Sequence, residues 1–197
     1  MEKNVLGLEL PTDPRWVNIA EKNLQDILMD HAYCEQKAAS SCISLIMLYP
    51  EKSELVDRLA PVVAEEWAHF ERVLEKLRER GWGLGFQRKD EYVDRVNSLI
   101  QKGGSRDQQL SERLLLNALI EARSCERFRL LSKEIGDKDL STFYYELMIS
   151  EAGHYKNFLE LARMYQPKEV VDRRWKEILS GEAEILRTLV VRNDRMH

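Results

Sequence analysis

The chain is poor in the residues that staple or interrupt a fold. Its three cysteines, Cys34, Cys42 and Cys125, are an odd set without Cys-x-x-Cys spacing. That argues against disulfides and reads as small buried apolar side chains. Only five prolines and nine glycines punctuate 197 residues, so long uninterrupted segments are expected. No apolar run approaches the roughly 20 residues that a membrane helix needs. No alternation of apolar and polar residues marks a strand. Lys and Arg (30) do not exceed Asp and Glu (34), giving a net charge of −4. This argues against a broad basic nucleic-acid footprint and leaves room for a local basic patch. Met1-Glu2-Lys3-Asn4 is not a basic segment followed by an apolar one, so no secretory signal is expected and the expected location is the cytoplasm.

What remains is helical in period. Hydrophobic residues make up 44% and charged residues 32%, ordinary for a globular chain long enough for one substantial core. The punctuation predicts a first long helix over about 16–49, ended by Pro50. A second is expected over about 51–80, stopped by Gly81, with Pro61 kinking or dividing it. Gly81, Gly83 and Gly85 mark a loop, and a short helix over 89–102 precedes Gly103-Gly104. A third long helix is predicted over 107–135 before Gly136, and a fourth over 138–165 before Pro167. A fifth, over about 167–191, is amphipathic through Val170, Trp175, Ile178, Ile185 and Leu189. The expected fold is all-α and one domain over 1–197. It has a four-helix bundle core (about 16–165), one long crossover (81–106) between the second and third long helices, and an additional C-terminal helix.

Two short patterns carry chemistry: Glu66-Trp67-Ala68-His69 and Glu151-Ala152-Gly153-His154. Residues three apart share a helix face, so each Glu-x-x-His points a carboxylate and an imidazole the same way. A lone glutamate precedes each motif: Glu35 lies 31 positions before Glu66, and Glu121 lies 30 before Glu151. The skeleton repeats at 85–86 positions, with low identity elsewhere between the halves.

Placement on the apolar seams is the stronger argument. The first helix reads Leu24, Leu28, His31, Glu35, Ala38, Cys42, Leu45, and the second Leu55, Leu59, Val62, Glu66, His69 or Phe70, Val73, Leu77. The third reads Leu114, Ala118, Glu121, Cys125, Phe128, and the fourth Phe143, Leu147, Glu151, His154, Phe158, Leu161. Each seam carries one glutamate at mid-length. Buried carboxylates converging on one level repel one another, and cations remove that cost. Two divalent ions bring +4 against four carboxylates and two neutral imidazoles. Carboxylate with imidazole suits iron or manganese, and four-helix carboxylate proteins use this ligand set for two such ions.

Neighbouring residues stay open to more than one reading. His31, one turn before Glu35, supports that ligand, faces substrate, or is a satisfied core histidine. Arg123 and Glu126 orient carboxylates or form a surface ion pair. The spacing of Tyr33, Tyr145 and Tyr155 does not aim them inward.

The segments Asp30–Ala39 (DHAYCEQKAA) and Leu119–Phe128 (LIEARSCERF) resemble those of bacterial tRNA 2-methylthio-N6-isopentenyladenosine hydroxylases. Glu65–Phe70 (EEWAHF) and Ser150–Tyr155 (SEAGHY) resemble the metal motifs of the same family, and Trp16 fits as well. The Glu-x-x-His pairs are shared by all ferritin-like proteins; the segment around Glu121 is the more specific. The resemblance implies a ferritin-like fold and a non-haem di-iron centre held by Glu35, Glu66, His69, Glu121, Glu151 and His154. It implies hydroxylation of the isopentenyl group of a modified adenosine beside the tRNA anticodon, with O2 as co-substrate and an electron-transfer reductase as external donor. Arg88, Lys89, Arg95, Lys102 and Arg106 in the crossover, and Arg173, Arg174 and Lys176 on the fifth helix, are candidates for gripping the anticodon loop. A monomer or small oligomer with no membrane partner is expected. Ferritin-like iron storage and manganese catalase are the alternatives.

Overall fold

The structure, a computed structural model, describes residues 5–189 and contains no strand among them. After a turn at Val5–Gly7 come α1 (Trp16–Lys22), α2 (Leu24–Leu48), α3 (Ser53–Glu79), α4 (Glu91–Asn97), α5 (Arg106–Glu134), α6 (Lys138–Tyr165) and α7 (Lys168–Thr188). The stretch expected to run on to Val191 ends outside the described residues. Among the described residues no helix is long and apolar enough to cross a membrane.

The helix ends follow their local chemistry. Gly81, at φ +72°, lets the chain close a double hydrogen bond onto α3: its own N–H reaches Arg78 O at 2.9 Å, and Trp82 N–H reaches Leu77 O at 2.9 Å. Ser105 and Gln108 cap α5 reciprocally, each side chain accepting from the other's backbone N–H. Asp137 caps α6 through Asp139 N and Leu140 N, and Asp90 caps α4 through Val93 N.

Three sequence expectations need correction. The first helix is not continuous over 16–49, because Asn23 interrupts it at φ −128°. Its side-chain amide donates to Ile19 O at 2.8 Å, the local competition that makes asparagine a poor interior residue. Pro61 does not divide the second helix; α3 runs through it without a break. Both Pro61 and Asp57, whose carbonyl loses its partner, are exposed, so water satisfies the freed oxygen. The short helix expected over 89–102 is confined to α4.

The described residues form two compact units, one of residues 5–18 with 90–189, the other of 19–89. In the second unit α2 and α3 pack as a hairpin. Its seam residues Leu28, Glu35, Cys42 and Leu45, and Leu55, Leu59, Val62, Glu66, Val73 and Leu77, are all buried. In the first unit α5 and α6 form the matching hairpin, and α7 packs on both. All eight residues from Glu121 to Phe128 are buried, because α5 is covered on every side.

That covering depends on one buried cation. Arg123 is fully excluded from solvent and forks onto Glu182 of α7, with Nε to Oε1 at 2.9 Å and Nη2 to Oε2 at 3.0 Å. Its other donors reach Glu126 Oε2 at 2.8 Å and Leu10 O at 2.9 Å. Glu126 in turn accepts from the Thr12 N–H and hydroxyl, and Tyr92 of α4 donates to Glu182 at 3.1 Å. Arg127 lies over the Trp16 ring at 4.7 Å, and burial lowers its pKa to about 10. The N-terminal segment, α4 and α7 are thus fastened to α5 beside Glu121. Arg123 and Glu126 therefore form a buried network and not a surface pair.

Glu182→Leu should take from buried Arg123 its forked partner, leaving Glu126 to compensate the charge, and cost up to about 3–5 kcal/mol, lowering the melting temperature of the metal-free protein by up to about 6–20 °C. Adding Arg123→Met should recover most of that loss, as thermal denaturation of the three proteins would show.

Candidate functional site

Each unit holds a Glu, Glu, His triad. In the 19–89 unit, α2 supplies Glu35 and α3 supplies Glu66 and His69; in the other, α5 supplies Glu121 and α6 supplies Glu151 and His154. All six side chains are buried, each no more than 6% exposed. One ligand atom from each member of a triad lies within 4.8 Å of the others. The sequence-predicted residues therefore come together three by three.

The geometry inside the 19–89 triad fits a shared cation better than direct pairing. His69 Nδ1 faces Glu35 Oε2 at 3.6 Å and Glu66 Oε2 at 3.7 Å, too long for hydrogen bonds. A cation bonded to each atom at about 2.1 Å would space neighbouring ligands by about 3.0 Å and opposed ones by about 4.2 Å. The observed separations fall in that range. In the other triad His154 presents the same nitrogen and is hydrogen-bonded directly, with Nδ1 at 3.2 Å from Glu151 Oε2. Two carboxylates with one imidazole make a hard, mixed oxygen and nitrogen set, suited to iron or manganese.

The residues around the triads sort themselves. His31 is wholly buried, and its Nε2 lies 2.6 Å from Glu35 Oε1. Cys125, one turn after Glu121, is not a thiolate: burial, then the Glu151 charge, pushes its thiol up to about 12. It donates to Met148 O instead. The Tyr33 hydroxyl donates to Gly85 O at 2.8 Å, Tyr155 donates to Leu6 O at 3.1 Å, and Tyr145 is exposed.

The basic candidates divide as well. Arg88 pairs with Asp26 in the 19–89 unit, where Lys89 is exposed. In the other unit, Arg95 donates to Thr188 Oγ1 at 2.6 Å, and Arg174 is held by Glu112, Glu177 and Leu99 O. Lys102 and Arg173 line one cleft of about 290 Å³, beside Gln108, Ser111 and Glu112 of α5. Arg106 and Lys176 are exposed. Lys102 of the crossover and Arg173 and Arg174 of α7, separate in sequence, thus line the same cleft.

Sequence reasoning missed Glu182, although a signal was present. The buried line of α7 runs Val171, Trp175, Ile178, Glu182, Ile185, spaced four and three like the seams that revealed the metal candidates.

Comparison with known proteins places these features. A family model described as tRNA-(MS2IO6A)-hydroxylase (MiaE) matches residues 2–197. A Pseudomonas putida protein named tRNA 2-(methylsulfanyl)-N(6)-isopentenyladenosine(37) hydroxylase is 33% identical over 181 residues, covering 92% of this chain and 87% of its own. A Salmonella typhimurium protein of the same name is 28% identical, over 84% of this chain and 78% of its own. Among solved structures, Protein 43 with aldehyde deformylating oxygenase activity from Synechococcus matches with a TM-score of 0.90 and 33% identity, covering 96% of this chain and 94% of its own. The fold is of the expected all-α, ferritin-like class.

Glu121→Ala should lower bound iron to roughly half or less, as metal analysis after reconstitution would show, because a three-residue set then keeps only two ligands. Cys125→Ala should leave the iron content unchanged.

Proposed function

This chain belongs to the tRNA-(MS2IO6A)-hydroxylase family, and on that premise we propose that it hydroxylates the isopentenyl group of 2-methylthio-N6-isopentenyladenosine next to the tRNA anticodon. The match over residues 2–197 carries the reading, and the two buried Glu, Glu, His triads support it. We propose that Glu35, Glu66, His69, Glu121, Glu151 and His154 hold two iron ions. The iron pair, when bound, supplies O2 activation for oxygen insertion into a C–H bond. One oxygen atom becomes the new hydroxyl; the other leaves as water, with two electrons from an external reductase and two protons.

The protein's own part is binding and enclosure. The carboxylates and imidazoles fix the metals, and the burial of all six side chains excludes water. The modified base has to leave its stack to reach such a site, as is usual when a base is worked on. We place the grip on the anticodon loop at the cleft holding Lys102 and Arg173, with Lys176 three residues on along α7. No ion pair ties these three among the described residues. Glu112 lines the cleft and Glu121 lies nine residues further along the same helix, about 14 Å at 1.5 Å per residue. Arg174 shapes the cleft through Glu112, and Arg88, Lys89, Arg95 and Arg106 complete the wider basic set. Reaction in the cytoplasm by a monomer or small oligomer is part of the same proposal.

The direct test incubates iron-loaded, reduced protein with prenylated tRNA, O2 and an electron donor, then digests the tRNA to nucleosides for mass analysis. A gain of one oxygen on the prenylated adenosine is expected; no gain with a competent donor would sink the reading. An aldehyde serves as control substrate, given the likeness to Protein 43, and exclusive turnover of it would redirect the assignment. For the cleft, the Lys102→Glu, Arg173→Glu pair should raise KM for tRNA and reduce its salt dependence by about one slope unit per lost phosphate contact. Turnover at saturating tRNA should be unchanged, and an unaltered KM would exclude the cleft.

A further inference from the structure

We infer that His31 is a positioning residue for the metal, holding Glu35 by one oxygen so that the other is presented to His69 and Glu66. This rests on the proposed reading of the triads as iron ligands. The Glu35 carboxylate has its two oxygens assigned differently. Oε1 lies 2.6 Å from His31 Nε2, while Oε2 faces His69 Nδ1 at 3.6 Å. A carboxylate can only accept, so Nε2–H donates. The short distance is that of a charge-assisted bond, stronger than a neutral one.

Two features make the contact more than incidental. His31 and Glu35 are four residues apart on one helix, so the backbone sets their separation without help from a loop. His31 is also fully buried, so bulk water does not compete for the bond. A glutamate ligand on a flexible side chain loses rotamer freedom when it binds a metal, and a bond already made to its far oxygen removes much of that loss. Partners of this kind typically account for 10- to 100-fold in metal affinity.

The matched skeleton makes the inference sharper. Four residues before Glu121, the counterpart of His31 is Asn117, also buried at 8% exposure. One half of the repeat thus backs its lone glutamate position with an imidazole, and the other places an amide there. The two irons are therefore expected to be unequal, with the one at Glu35 dependent on His31.

The test loads the full-length protein with 57Fe(II) alone, under anaerobic conditions, and reads iron per chain, dissociation constants and Mössbauer spectra. Wild type should bind two irons giving two distinct quadrupole doublets. His31→Leu should raise one dissociation constant about 10- to 100-fold and alter one doublet only. His31→Gln places an amide nitrogen near the same oxygen and should restore both. Unchanged affinity and spectra in His31→Leu would overturn the inference while leaving the ligand assignment intact. Equal loss in His31→Leu and His31→Gln, with a matching fall in metal-free thermal stability, would also overturn it, reducing His31 to a packing residue. A wild-type protein that binds no iron would overturn the ligand assignment and this inference with it.

Discussion

A glutamate carboxylate taken out of water must meet compensating charge or give up its own. Four of the buried seam positions in this chain are glutamates, each at mid-helix among Leu, Val and Phe. Everything else follows from that demand. It explains why each glutamate lies within reach of an imidazole from a Glu-x-x-His turn, and why the donor atoms cluster within 4.8 Å in each unit. It also explains why the separations from His69 Nδ1 suit a shared cation better than a hydrogen bond.

The same demand is answered without a metal elsewhere in the chain. Glu182 is as deeply buried as the proposed ligands, and Arg123 answers it with a forked pair of bonds. The contrast is instructive. A guanidinium fastens α7 and the N-terminal segment to α5 as a structural knot, two positions from Glu121. The triads use imidazoles, which serve as metal ligands in their neutral form. Guanidinium therefore holds the scaffold still, and the carboxylate and imidazole sets are left for chemistry.

Much of this was legible in the sequence because it is periodic. The Gly81 stop and the α6 bounds follow from glycine and proline punctuation, and the six buried positions from spacing three and four with glutamate in the apolar line. What was hidden is either local competition or long-range pairing. Asn23 breaks the first helix through a side-chain bond that period does not register. Pro61 is tolerated because its lost partner faces water. From spacing alone, Arg123 and Glu126 stay open between orienting carboxylates and a surface pair because their covering elements lie far away in sequence, at Leu10, Thr12 and Glu182. The choice of reaction was legible only through resemblance, since periodic glutamates specify a metal cage and not its substrate.

The most direct test of the central claim is anomalous diffraction at the iron edge from crystals of the iron-loaded protein. The account predicts two iron peaks per chain, one bonded by Glu35 and His69 and the other by Glu121 and His154, with Glu66 and Glu151 completing the ligands. No iron at these side chains, or a single ion bound elsewhere, would contradict it.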